Sequence, residues 1–277
     1  MIALLCCSLL SGCSMNAYPK EQPLHVNTAS NLPIVRPAGL ASNNVVIPYD
    51  AYVYDDADFE YEAGLLINQT KNSVVCAVNP HKQIYPASMT KILTAVVVMD
   101  AVNSGQISLN DTVVIRKEIE FNEANVTALG LEPGDYITVN ELLHGLLISS
   151  YNDCAIALAR YVSGSVSDFV DLMNKKAQEL GATNSHFVNP HGLHDNNHYT
   201  TPYDLYLIFK EFLKYDTLVQ IDSSSSYVLT MYKDSEKITT ELTPTNAFLS
   251  NSVEMPTGYH ITGWKPGTTE KAGSCII

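Results

Sequence analysis

Two hydrophobic patterns alternate along most of the chain. Short apolar runs flanked by turn residues predict paired strands at residues 64–67 and 73–78. Residues 88–102 predict a helix that is apolar on nearly every face, which is typical of a helix at the centre of a domain. Residues 167–180 instead predict an amphipathic helix that stops at Gly181.

The order of these elements predicts the fold class. Thr138 and Glu141 fit a capping box at the start of another helix. The remaining elements are helices at 139–148, 152–162 and 201–215 and strands at 227–231, 237–242 and 260–265. Strands at both ends around a helical middle predict an α+β domain, with an antiparallel sheet built from both chain ends and a helical subdomain around the buried helix.

Composition narrows the function classes. Hydrophobic residues make up 46% of the 277 residues and charged residues 16%, so a sizeable core is expected. The formal charge of −13 argues against a nucleic-acid partner, because phosphate neutralisation needs surplus cations. Three scattered cysteines, Cys76, Cys154 and Cys275, form neither a disulfide framework nor a zinc spacing and are expected to be small buried residues.

The N-terminus predicts the compartment. Residues 2–10 are almost wholly apolar and precede Ser11-Gly12-Cys13, and together they resemble a bacterial lipoprotein signal. The resemblance implies that Cys13 is lipidated, becomes the mature N-terminus and anchors the chain at the extracytoplasmic face of the membrane. A plain secretory signal, with the protein in the periplasm or cell wall, or a buried apolar segment are the alternatives. No Lys or Arg precedes the apolar run, although a signal is expected to have a basic start.

Three segments are therefore expected. Residues 1–13 form the lipoprotein-type signal segment. Residues 14–55, rich in Asn, Pro, Ser and Ala, form a linker. Residues 56–277 form the folded domain.

Ser88 and Lys91 are the first candidate catalytic pair. Residues three apart lie on one face of a helix. A lysine on an apolar helix should have a lowered pKa, and a neutral amine beside a hydroxyl is a general base beside a nucleophile. The helix N-terminus adds N–H groups that stabilise an oxyanion. A helix cap followed by a solvent-reaching lysine also fits this pattern.

Two later segments carry candidate site residues. Ser150-Tyr151-Asn152 lies at the break between two predicted helices, where helix capping also explains such residues. Residues 263–269 contain Lys265, Gly267, Thr268 and Thr269 and also fit an ordinary Pro-Gly turn.

In this order, the three segments resemble the SxxK acyltransferases, and most closely the serine D-Ala-D-Ala carboxypeptidases. These are the low-molecular-weight penicillin-binding proteins of peptidase family S11, with a serine β-lactamase/DD-peptidase-like fold. The resemblance covers residues 60–277. Its motifs are Pro86-Ala87-Ser88-Met89-Thr90-Lys91, 147–153, 187–193, 198–204 and Trp264-Lys265-Pro266-Gly267.

The resemblance implies a role for each matched residue. Ser88 attacks the carbonyl between two D-alanines, Lys91 takes its proton, and Ser150 relays a proton to the leaving D-alanine. Asn152 binds the substrate amide. Lys265 supplies positive charge near Ser150 and the substrate carboxylate. Gly267, Thr268 and Thr269 line the same subsite, and the N–H groups of Ser88 and Thr268 form the oxyanion hole.

The implied partners are peptidoglycan stem peptides and, as covalent inhibitors, β-lactams. No cofactor or metal is expected. The spacing of His191, His194 and His198 suggests metal, but Gly192 and the absence of an HExxH motif favour a loop packed under the site.

This sequence departs from the family pattern in two places. Pro266 replaces the threonine of KTG and offers neither hydroxyl nor N–H, so Thr268 or Thr269 is expected to replace it. The chain also stops at Ile277, before the family's last strands and closing helix, which predicts a fragment with an unpaired sheet edge. A catalytically impaired, lipid-anchored penicillin- or muropeptide-binding protein is therefore the alternative function. A β-lactamase is disfavoured because no Glu-x-x-Leu-Asn segment follows the middle motif.

Overall fold

The computed structural model describes residues 2–8, 45, 47, 62–123, 126–255, 257–259 and 261–277. The strands are β1 Ile2–Ser8, β2 Ala63–Asn68, β3 Ser73–Val78, β4 Thr112–Val114, β5 Tyr136–Thr138, β6 Tyr227–Lys233, β7 Glu236–Leu242, β8 Pro266–Thr269 and β9 Gly273–Ile276. The helices are a 3₁₀ turn at Ala87–Met89, α1 Thr90–Asn103, α2 Val139–Leu147, α3 Asn152–Ser163, α4 Val166–Glu179, α5 Pro202–Phe212 and α6 Asp216–Asp222.

The predicted α+β fold is confirmed. An antiparallel sheet in the order β3-β2-β1-β9-β8 contains strands from both ends of the chain. A second sheet, in the order β4-β5-β6-β7, contains the two strands predicted after α6. The short strands β4 and β5 escaped prediction because three residues are too few to show alternation.

The sheet edge differs from the prediction. We expected an unpaired edge at the last strand, but β9 pairs with β8 on one side and with β1 on the other, where Cys7 faces Cys275. β1 lies within the segment predicted as a signal. If residues 1–13 are removed, β2 and β9 face each other across an open strand position. Cys13 lies outside the described residues, and its lipidation stays a prediction.

The predicted strand at 260–265 is wrong. Residues 261–265 are irregular, and β8 begins at Pro266. His260 lies outside the described residues. Lys265 therefore lies immediately before β8 and not within a strand.

The boundary between linker and domain also differs from the prediction. Val45 and Ile47 belong to the hydrophobic core, although both fall within the predicted linker at 14–55. Tyr203 donates a hydrogen bond to the Val45 carbonyl at 2.9 Å. Packing therefore begins before residue 56, and the rest of the predicted linker lies outside the described residues.

Helix α1 is the centre of the core. Its residues from Thr90 to Met99 are all buried, as its apolar faces predicted. Thr138 caps α2 by accepting the Glu141 N–H, but the Glu141 side chain binds Tyr227 and Thr230 instead of completing the capping box. In the amphipathic helix α4, Leu172 is 38% exposed although its spacing places it with the apolar residues Phe169 and Met173. The predicted helix at 201–215 corresponds to α5, which ends at Phe212, and the helix that follows, α6, was not predicted.

None of the helices in the described part of the chain is both long and apolar enough to cross a membrane.

Candidate active site

Ser88 lies in the 3₁₀ turn that leads into α1. The preceding residue, Ala87, has φ +47°, a left-handed conformation that residues other than glycine seldom adopt. Gly192 allows this turn to pack, because a β-carbon at residue 192 would lie 1.9 Å from the Ala87 carbonyl oxygen. The turn presents the half-buried Ser88 hydroxyl at the N-terminal end of the buried helix.

Lys91 is fully buried, with its Nζ surrounded by three oxygens. Nζ lies 2.9 Å from Ser88 Oγ, 2.8 Å from Asn152 Oδ1 and 2.7 Å from the His191 carbonyl oxygen. A neutral amine has two N–H groups and one lone pair. With its N–H groups donated to Asn152 and His191, the lone pair faces the Ser88 hydroxyl, which is the arrangement a general base needs.

Burial lowers the pKa of Lys91 well below its usual value, and the positive charge of Lys265 lowers it further. Cys154 and Asp153 act in the opposite direction. The Asp153 carboxylate is itself occupied, since it accepts four backbone N–H groups, from Leu129, Gly130, Leu131 and Cys154. Burial therefore favours the neutral form of Lys91.

The break between α2 and α3 carries the second motif. Ser150 has φ +60° and is buried, and Asn152 begins α3. Asn152 is held on both sides, because its Nδ2 donates to the Thr127 carbonyl at 2.9 Å while its Oδ1 accepts from Lys91. The structure thus joins this break to the Ser88–Lys91 pair through Asn152.

The segment at 188–198 packs beneath this pair, as the sequence predicted. Thr94 donates to the Pro190 carbonyl, and the His198 ring contacts Thr90 at 2.8 Å. The Val188 N–H donates to His198 Nδ1, so Nε2 carries the proton and donates to Thr90. Burial lowers the pKa of His191 to about 3 and that of His198 to about 4, so both rings are neutral at physiological pH.

Strand β8 forms the opposite side. Its Gly267 lies against the 3₁₀ turn that carries the candidate nucleophile Ser88, which we call the nucleophile turn, because a β-carbon at residue 267 would be 2.8 Å from the Ser88 nitrogen and 3.2 Å from the Met89 nitrogen. Lys265 is fully buried and exchanges backbone hydrogen bonds with Ile277 at 2.8 and 3.2 Å. We call Ser88, Lys91, Ser150 and Asn152 the helical wall, and residues 264–269 the strand wall.

The two candidate threonines on the strand wall differ. Thr269 accepts the Ala272 N–H at 2.9 Å, so its hydroxyl belongs to the β8–β9 turn. Thr268 is exposed and two residues from Pro266, hence on the same face of the strand. Thr268 is therefore better placed than Thr269 to replace the hydroxyl that Pro266 lacks.

Sequence reasoning missed three contributors to the site. The Thr127 and His191 carbonyl oxygens hold Asn152 and Lys91, but backbone acceptors leave no trace in residue identity. Asp222 accepts the Trp264 N–H at 2.6 Å, and only its position at the end of α6, which was not predicted, brings it there. Among the residues that the structure describes, no cluster of His, Cys, Asp and Glu could hold a metal ion.

The fold is of the penicillin-binding-protein class. The chain is similar to penicillin binding protein 5 from Haemophilus influenzae, with 30% identity and a TM-score of 0.61 over 73% of this chain and 56% of that one. It is also similar to a variant of Streptomyces K15 DD-transpeptidase, with 26% identity and a TM-score of 0.66 over 77% of this chain and 87% of that one.

Residues 52–277 match the model of peptidase family S11, the D-alanyl-D-alanine carboxypeptidases. The chain belongs to this family. It is 35% identical to D-alanyl-D-alanine carboxypeptidase DacF from Bacillus subtilis over 78% of this chain and 53% of that protein. It is 32% identical to DacC from Escherichia coli over 78% of this chain and 52% of that protein. The chain thus spans about half the length of these curated relatives.

Proposed function

We propose that this protein is a serine D-alanyl-D-alanine carboxypeptidase that removes the terminal D-Ala from peptidoglycan pentapeptides. The observation that carries the proposal is the 2.9 Å approach of Lys91 Nζ to Ser88 Oγ, with Lys91 fully buried. The names of the relatives support the substrate class.

The first half of the reaction forms an ester. Lys91 Nζ takes the Ser88 hydroxyl proton as Oγ bonds to the carbonyl carbon between the two D-alanines. The N–H groups of Ser88 and Thr268 hold the resulting oxyanion, and the contact of Gly267 with the Ser88 nitrogen supports this arrangement. The C–N bond then breaks while Ser150 passes its proton to the leaving D-alanine amine and receives the proton held by Lys91, which becomes neutral again.

The second half of the reaction releases the shortened peptide. Water, with Lys91 again as base, adds to the ester carbon, and Ser88 leaves with a proton. A β-lactam carbonyl is attacked in the same way, which makes penicillin a covalent inhibitor. Asn152 retains one Nδ2 hydrogen for the substrate amide, since among the described residues Thr127 is its one acceptor. Lys265 and Thr268 receive the terminal carboxylate.

The working location follows from the substrate. Peptidoglycan stem peptides lie outside the cytoplasmic membrane, so the chain is exported. The apolar segment before Cys13 supports anchoring as a lipoprotein. Metabolic labelling with a radiolabelled fatty acid tests this, because Cys13→Ser should abolish the label.

Release of D-alanine tests the function. Purified chain is incubated with a diacetylated L-Lys-D-Ala-D-Ala tripeptide, and the freed D-alanine is quantified with D-amino acid oxidase. We expect release from the unaltered chain and none from Ser88→Ala. A folded chain that binds penicillin but releases no D-alanine contradicts the carboxypeptidase proposal.

A second candidate is a non-catalytic muropeptide-binding protein. Pro266 favours it, because the strand wall there lacks a hydroxyl and an N–H. Saturable tripeptide binding without D-alanine release supports this candidate.

A further inference from the structure

Lys265 is a buried cation with few partners. Its side chain has no exposed surface, and its Nζ donates to the Pro266 carbonyl at 3.0 Å. In the described part of the chain, no carboxylate oxygen lies within 4 Å of Nζ. An ammonium group has three N–H donors and is costly to bury without an opposite charge nearby.

The Asp222 carboxylate packs against the backbone just before β8. It is 4% exposed, and its Oδ2 accepts the Trp264 N–H at 2.6 Å. The preceding residue, Gly263, allows this approach, because a β-carbon there would lie 3.2 Å from Asp222 Oδ2. The buried carboxylate therefore fixes the backbone one residue before Lys265.

Asp222 and Lys265 also interact electrostatically. Burial raises the pKa of Asp222, and the Trp264 N–H and the charge of Lys265 oppose the rise. Burial lowers the pKa of Lys265, and the negative charge of Asp222 opposes the fall. Each group thus favours the charged form of the other.

The charge of Lys265 also matters to Lys91. The two buried lysines repel each other when both are charged, so one of them tends to lose its proton. Three groups besides the two lysines act on this pair: Asp153 and Cys154 from α3, and Asp222 from the end of α6. Asp153 is held by backbone N–H groups, and burial raises the pKa of the Cys154 thiol, which keeps it neutral.

We propose that Asp222 is a positioning residue that holds Lys265 as the charged lysine of the pair and so leaves Lys91 as the neutral base. The resemblance assigned no role to Asp222. Its consequence for catalysis rests on the proposed function, but its effect on the two lysines does not.

Carbon-13 NMR of the full chain labelled at lysine Cε tests the proposal directly. Signals are assigned with Lys265→Arg and Lys91→Arg. In Asp222→Asn, which keeps an acceptor for the Trp264 N–H, we expect the Lys265 titration midpoint to fall by about 1 pH unit and that of Lys91 to rise. Asp171→Asn, the same change at an exposed helix position, should move neither midpoint. An unchanged Lys265 midpoint in folded Asp222→Asn overturns the proposal.

Penicillin acylation supplies the catalytic readout. The alkaline limb of the second-order rate constant should move to lower pH in Asp222→Asn, and Asp222→Glu should return it toward its original position. An equal loss of rate at every pH indicates a purely structural role and contradicts the proposal. If the unaltered chain is never acylated but the Lys265 midpoint still shifts, the proposed function fails while the electrostatic role stands.

The unaltered chain provides the measurement if Asp222→Asn does not fold. With aspartate labelled at Cγ as well, the Asp222 and Lys265 signals should share titration steps, because each group responds to the charge of the other. Independent single-step titrations of the two groups overturn the proposal.

Discussion

The two walls of the candidate site are built differently. The helical wall is held by side chains and carbonyls from several elements: α1, α3 and the segments around Thr127 and His191. The strand wall is held mainly by backbone: the ladder between β8 and β9, the backbone pair between Lys265 and Ile277, the Asp222–Trp264 hydrogen bond and the contact of Gly267 with the nucleophile turn.

The two walls therefore differ in what they contribute: the helical wall carries the proposed reacting groups, and the strand wall positions groups around them. The helical wall contains the Ser88 hydroxyl and the Lys91 amine in hydrogen-bond contact, so both groups of the proposed reactive pair come from the 3₁₀ turn and α1. The strand wall contributes the charge of Lys265 and backbone N–H groups. How strongly these groups stabilise the substrate and the oxyanion depends on the position of β8. We therefore expect changes in the helical wall to abolish the chemistry and changes in the strand wall to weaken it by degrees.

The largest expected effect on rate is that of Lys91→Met. Removing the base should lower the second-order rate constant for penicillin acylation by roughly 10⁴-fold or more. The measurement is stopped-flow fluorescence with a labelled penicillin, with circular dichroism to confirm folding. Lys175→Met, an exposed lysine on α4, is the matched control and should acylate normally.

The pH dependence of penicillin acylation in the unaltered chain also tests Lys91 as the base. Since burial and Lys265 lower the pKa of Lys91, the base stays neutral until the pH falls well below the usual lysine range. Acylation should therefore persist at neutral pH, fall on acidification as Lys91 gains a proton, and fall at alkaline pH as Lys265 loses one. A rate that rises only above pH 10 contradicts this assignment.

Gly192→Ala should damage the helical wall through the fold. The added carbon would meet the Ala87 carbonyl oxygen at 1.9 Å, and residue 192 has φ +88°. We expect the free energy of unfolding to fall by ~3 kcal/mol or more, with most acylation lost. Urea unfolding measures the loss, and Gly105→Ala, at φ +76° with open space around it, controls for the backbone conformation alone.

Gly267→Ala tests the strand wall. A β-carbon 2.8 Å from the Ser88 nitrogen pushes β8 away from the nucleophile turn and moves the Thr268 N–H with it. Acylation should slow by about 10²–10³-fold, the loss typical of one oxyanion donor, while urea unfolding changes little. Unaltered acylation in this variant contradicts the placement of the oxyanion hole.

Thr268→Val should have the smallest effect. Loss of one hydroxyl that binds the substrate carboxylate should raise KM for the tripeptide roughly 10-fold with little change in kcat. Thr269→Val should instead lower stability, since Thr269 accepts the Ala272 N–H. If only Thr269→Val raises KM, Thr269 and not Thr268 binds the substrate carboxylate.

The sequence predicted the helical wall better than the strand wall for a physical reason. Ser88 and Lys91 are three residues apart, so helical periodicity alone brings them together. The approach of β8 to Ser88, the pairing of β1 with β9 and the position of Asp222 depend on contacts between distant segments, which local patterns do not encode. Even so, the ordered motifs identified the family, which residues 52–277 confirm.

Site-specific acylation tests the central claim most directly. The chain is exposed to penicillin at neutral pH, digested, and mapped by mass spectrometry. The account predicts one penicilloyl adduct per chain, on Ser88, that disappears in Ser88→Ala. A folded chain that carries no adduct, or carries it on another residue, contradicts the claim that Ser88 and a neutral Lys91 form the reactive pair.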